Sequence, residues 1–190
     1  SRLRRLIEPD RPTGEPAARI RRATDPIELE GPPLVDTDLA QFDRHVALAD
    51  RAHQAGDSTE ELACLSRAVA LWRGDPLVDL TAIDELDGEV EFVRRRLIDG
   101  CLRLGELLLV HGRFDESLAC AERGKVASPY SERAHRLAIA CHLQNLDRSG
   151  LESAVRLTQL MLDDLDVEPS DATKMLLRRA AGRLGASARD

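Results

Sequence analysis

From Glu85 onward, Leu86, Val90, Val93, Leu97, Cys101, Leu104 and Leu108 recur at steps of three and four, a spacing that stacks them on one face of an α-helix. That face has to be buried. Ile98, Leu102 and Leu109 widen it beyond the narrow seam of a two-stranded coiled coil, so the helix is expected to pack against several neighbours. The sequence His111-Gly112-Arg113 then ends it, because glycine takes the left-handed conformation that closes a helix. Asp115 and Glu116 place negative charge in the first turn of a second helix running to Ser128. The segment 85–128 therefore predicts a helical hairpin that needs further helices around it.

The rest of the composition agrees with a helical body. Aromatic residues make up 3% of the 190 residues, so the core must be built from Leu, Val, Ile and Ala. The formal charge of -7 argues against a nucleic-acid surface over the whole chain. Charge is uneven, however: residues 1–22 hold seven arginines against Glu8, Asp10 and Glu15, a local balance of +4 that leaves -11 for the remainder. A basic head precedes an acidic body. Cys64, Cys101, Cys120 and Cys141 fall one per predicted helix, with no Cys-x-x-Cys pair, and read as reduced core thiols of a cytoplasmic protein, so no metal or cofactor is expected. No apolar run approaches the roughly 18 residues that span a bilayer, and no secretory signal opens the chain. The five histidines have no nucleophile motif or third ligand beside them, and phosphate-cradling glycine loops are missing, so catalysis is not expected.

In chain order, Ser1 to Ile7 reads as the tail of a helix that starts upstream, with Leu3, Leu6 and Ile7 inward and arginines outward, ended by Pro9. Residues 18–23 and 27–30 alternate apolar and charged positions around Thr24-Asp25-Pro26, the period-2 pattern of a β-hairpin. Helix then hairpin, both rich in arginine, is the order of a recognition helix and wing in winged-helix DNA readers; an ordinary solvated basic turn is the alternative. Gly31-Pro32-Pro33 opens a short stiff linker over 31–35. Asp36 or Thr37 caps a helix to about Ala55, with Leu39, Phe42, Val46 and Ala49 inward. Gly56 stops it, and a partner helix carries Leu62, Leu65, Ala68, Val69 and Trp72. After residues 77–84, expected as a packed loop, and the central hairpin, Pro129 starts a helix with Ala134, Leu137, Ala138, Cys141 and Leu143 buried. The next one buries Leu151, Val155, Leu157, Leu160, Met161 and Leu165, and a last one, begun at Glu168-Pro169-Ser170-Asp171, buries Met175, Leu176, Ala180 and Leu184.

Three hairpins in tandem suggest a repeat. Leu104-Gly105, Gly112 and Pro129 fall at the offsets of a tetratricopeptide repeat of about 34 residues. Leu48-Ala49 with Gly56 echoes the spacing, and Ala138-Ile139 with Leu146-Asp147 echoes it poorly. The fold expected is all-α, a TPR-like right-handed stack of helical hairpins over 36–185 whose concave side can hold a peptide or helix. A short helix and β-hairpin over 1–30 precede it.

Four segments carry a resemblance: Leu71-Trp72-Arg73-Gly74-Asp75-Pro76-Leu77, the turn His111 to Leu118, Pro129-Tyr130-Ser131-Glu132, and Asp166-Val167-Glu168-Pro169-Ser170. In that order they resemble the bacterial transcriptional activator domain (BTAD) of antibiotic-pathway regulators of the SARP family. Asp166 stands where the family commonly has glycine. The resemblance implies a transcription regulator whose winged helix-turn-helix ends within residues 1–30, lacking its first two helices here. It implies DNA contact, mostly with phosphates, by Arg2, Arg4, Arg5, Arg19, Arg21 and Arg22, complete only with the missing part of that domain. It further implies that the helical body contacts RNA polymerase or a second protomer. The other reading of the same residues is a protein-interaction or ligand-sensing helical scaffold that does not bind DNA.

Overall fold

The computed structural model describes residues 20–22, 27–29, 37–75 and 87–186. The expected helix at Ser1–Ile7, the linker over 31–35, residues 77–84, and Arg2, Arg4, Arg5 and Arg19 lie outside the described residues. The chain divides into two compact units, Ser1–Ala40 and Gln41–Asp190. In the first, β1 (Ile20–Arg22) and β2 (Ile27–Leu29) pair antiparallel, with Ile20 opposite Leu29, Arg21 opposite Glu28 and Arg22 opposite Ile27.

The rest is helical among the described residues: α1 (Asp38–Gln54), α2 (Ser58–Ala70), α3 (Asp87–Val110), α4 (Phe114–Ala127), α5 (Glu132–Gln144), α6 (Arg148–Leu165) and α7 (Asp171–Ala186). Start signals follow local chemistry. Thr37 Oγ1 accepts from the Ala40 amide at 3.1 Å, Asp57 from Glu60 at 3.0 Å and Asp147 from Gly150 at 3.0 Å, each satisfying an orphan N–H of a first turn. Ser131, rather than Pro129, begins α5, accepting from the Ala134 amide.

The turns between paired helices repeat one another. The amides of Asp57, Arg113 and Asp147 return to the carbonyls of Ala52, Leu108 and His142 at 2.9 to 3.0 Å, the six-to-one bond of a Schellman closure. That closure needs a left-handed residue, supplied by Gly56 (φ +72°), Gly112 (φ +73°) and, in the third turn, Leu146 (φ +57°). Thus the third hairpin, whose turn sequence echoes the others poorly, closes by the same geometry. The junction of α6 and α7 closes likewise: Val167 N donates to Leu162 O at 3.2 Å, with Asp166 at φ +50°.

The helix α3 is the spine of the body. It packs on α2, α4 and α5, and Val90, Val93, Leu97, Ile98, Cys101, Leu102, Leu104 and Leu108 are all buried, as the stripe predicts. Each of α4, α5 and α6 packs on its predecessor, and α7 closes on α5 and α6. There Ile139, Leu143, Leu151, Ala154 and Ala180 form one cluster, with Val155, Leu176, Leu177 and Leu184 against it. Close approach of α3, α4 and α5 depends on Gly105, where a Cβ would lie 2.9 Å from Cys120 Cβ and 2.6 Å from Leu137 Cδ2. All four cysteines are buried and free.

Four expected core residues are corrected. Leu157, Leu160 and Leu165 of α6 and Met175 of α7 are exposed. The buried face of α6 is Leu151, Ala154, Thr158, Met161 and Leu162, and α7 buries Thr173 and Ala180. Thr158 donates to Ala154 O at 2.8 Å, so its hydroxyl costs little inside, and its central position turns Leu157 and Leu160 outward.

Candidate functional site

The face shared by α1, α3 and α5 is spanned by arginine-carboxylate pairs. Arg96 on α3 meets Asp43 on α1, and Arg103, two turns later, meets Asp50 on α1 and Glu61 on α2, donating to Glu61 at 2.6 and 3.0 Å. Arg133 on α5 repeats the arrangement one hairpin on. It holds Glu106 through two bonds of 2.7 Å and also meets Asp99. His53 Nδ1 lies 2.9 Å from the other oxygen of Glu61. Burial pulls the Glu61 carboxyl upward, but hydrogen bonds from Arg103 and His53 outweigh it and hold it below its ordinary value. These guanidinium groups already have partners. The face is therefore a set of ties between successive hairpins, and the geometry offers no row of unpaired arginines there to a phosphate backbone.

The motif segments turn out to be joints. Trp72, buried at the end of α2, donates from Nε1 to Gly74 O at 2.8 Å. Arg123 of α4 lies over its ring, 4.1 Å from the centroid, and also bonds the carbonyl of Trp72. One cation thus caps the C-terminus of α2 and stacks on an indole, locking two helices together. No local signal marks Arg123, since it lies 51 residues from Trp72. In the central turn, Arg113 pairs with Glu116 through two bonds of 2.6 Å. The last two segments meet: Glu132 Oε1 accepts from Ser170 N at 2.8 Å and Ser170 Oγ at 2.7 Å. Burial raises the Glu132 carboxyl and these bonds, with Thr173, lower it further, for a net fall. Asp166, where the resemblance expects glycine, occupies the left-handed conformation glycine would favour.

A family profile described as bacterial transcriptional activator domain matches residues 37–179. The chain belongs to this family. Comparison with curated proteins and with solved structures finds no match. The activator-domain match starts at the cap of α1 and ends within α7, so it covers every helical joint described above. Membership carries a transcriptional-activator type of function.

Of the expected DNA-contacting residues, Arg21 and Arg22 lie on β1, in register with Glu28 and Ile27. Arg2, Arg4, Arg5 and Arg19 lie outside the described residues. Among the described residues of this activator domain no group of three or more His, Cys, Asp or Glu is arranged to hold a metal ion, and no helix is long and apolar enough to cross a membrane.

Proposed function

We propose that the chain is a cytoplasmic transcription regulator of the SARP type. Residues 36–185 form its effector, a TPR-like right-handed stack, and 1–30 supply the end of a winged helix-turn-helix. Arg2, Arg4, Arg5, Arg19, Arg21 and Arg22 meet DNA, chiefly phosphates, while the effector contacts RNA polymerase or a second protomer. The observation that carries this reading is the activator-domain match over 37–179, on a chain whose residues 1–22 have a balance of +4 while the remainder is acidic. Arg21 and Arg22 are successive residues of β1 in a short antiparallel pair, the backbone form of a wing.

The test is duplex binding against salt, using the chain extended upstream to complete a winged helix. Affinity is expected to fall steeply with salt, and replacing Arg21 and Arg22 by alanine should flatten the log-log slope by about 2, near 0.9 per lost phosphate contact. Absence of binding at low salt, or a slope unchanged by the double replacement, overturns the DNA reading and favours the interaction scaffold. Co-purification with polymerase subunits tests the effector half separately.

A further inference from the structure

Within the helical body, α4 and α6 both pack on α5 and scarcely touch each other. The groove left between them has a volume of about 590 Å³ and an apolar lining that includes Tyr130, Leu157, Leu160 and Met161. Of the charged groups that line it, Lys125 and Glu122 neutralise each other in an ion pair of 2.7 Å, which leaves Asp164 as the carboxylate without a cation among the described residues. The floor of the groove is closed by His135, which is buried and bonded to Pro129 O at 3.1 Å. Tyr130, Leu157 and Leu160 are 55%, 44% and 56% exposed, and Val126, one turn beyond Glu122 on α4, is 84% exposed, so apolar side chains stand bare along both walls of the groove. Leu157 to Asp164 spans roughly 10 Å of helix, the length of two turns of a docked helix.

Charge identifies what fits. The last turn of α6 holds Asp163 and Asp164 but no basic residue, and Asp166 follows at the cap. Among the described residues none of these three has an ion-pair partner; Asp164 accepts only the Tyr130 hydroxyl, at 2.8 Å. Three carboxylates at the negative end of a helix dipole repel one another, and the local field calls for cations. We propose that the groove between α4 and α6 docks a basic amphipathic helix of a partner protein. Its apolar side chains lie over Leu157 and Leu160, and its lysines or arginines, about one turn on, meet Asp163, Asp164 and Asp166. Every residue named for this surface belongs to the helical body, so the proposal does not depend on whether the arginines of residues 1–22 meet DNA.

A fluorescein-labelled 18-residue helical peptide with leucines at i, i+3, i+4 and i+7 flanked by arginines is the probe, titrated against the whole chain. Two controls keep either the leucines, with glutamate for arginine, or the arginines, with serine for leucine. The basic amphipathic peptide is expected to bind at least about tenfold more tightly than either control. Leu157→Ser with Leu160→Ser, or Asp163→Lys with Asp164→Lys, should each weaken it about tenfold, the usual loss when an anchor of an interface is removed. Met175→Ser, at an exposed position on α7, should leave it unchanged. Amide shifts on the unmutated chain should cluster at residues 122–130 and 157–166, which checks the site without relying on a variant. Equal binding of all three peptides, shifts elsewhere, or undiminished binding by the serine variant overturns the proposal. So does a dimer in sedimentation that Leu160→Ser dissociates, which would assign the groove to a second copy of the chain.

Discussion

Leu146 and Asp166 show how a single dihedral angle can decide a turn against its own side chain. Both take the left-handed conformation that Gly56 and Gly112 take elsewhere, and Leu146 does so while 68% exposed, so it recovers little by burial. A left-handed β-carbon costs about 1–2 kcal/mol, whereas glycine loses about 0.4–1 kcal/mol through its freer unfolded chain. The strain is larger, so Leu146→Gly is expected to stabilise the body by about 0.5–1 kcal/mol, read as a higher urea midpoint at unchanged slope. Asp166→Gly should gain less, since aspartate tolerates this region better than leucine.

Among the elements, the helices that differ most from expectation are those whose core positions hold hydroxyls. Thr158 and Thr173 are fully buried, and so is Ser117, which donates to Gly105 O at 2.6 Å. A hydropathy pattern scores such residues as surface, and so the register of α6 is read one step out. The helical glycines divide by their surroundings in the same way. Gly105→Ala gains about 1 kcal/mol of helix propensity but drives a methyl to 2.9 Å from a Cβ fixed to the facing backbone, and overpacking of that kind costs about 1–3 kcal/mol. Net destabilisation by up to about 2 kcal/mol is expected. Gly182→Ala, with nothing within 4 Å of the new methyl, should instead stabilise by up to about 1 kcal/mol, and thermal unfolding of the two variants side by side checks the contrast.

At the scale of the whole molecule, titratable groups tie the hairpins together and set the response to acid. Burial holds His135 below its ordinary 6.5, so the unfolded chain binds its proton first, and stability falls as pH drops below about 6.5. The carboxyls of Glu61 and Glu132 are held below 4.5, so their contribution is present above that value and is lost as pH falls through their folded values. Urea midpoints between pH 8 and 3 should therefore show two successive losses, and His135→Gln should remove the upper one only. The spine α3, the hairpin order, the buried cysteines and the family were legible in the sequence, because three-four spacing, glycine stops and short motifs are local. The arginines of the basic head were legible too, but only as composition; their partners are not a local property. What the sequence could not show is every contact between residues far apart in the chain: Arg123 on Trp72, Arg133 on Glu106, Glu132 on Ser170, and the exposure of Leu157 and Leu160. Periodicity says that a helix has a face to bury, but which few degrees of rotation bury it depends on the atoms opposite, and those are brought there only by the packing of the whole.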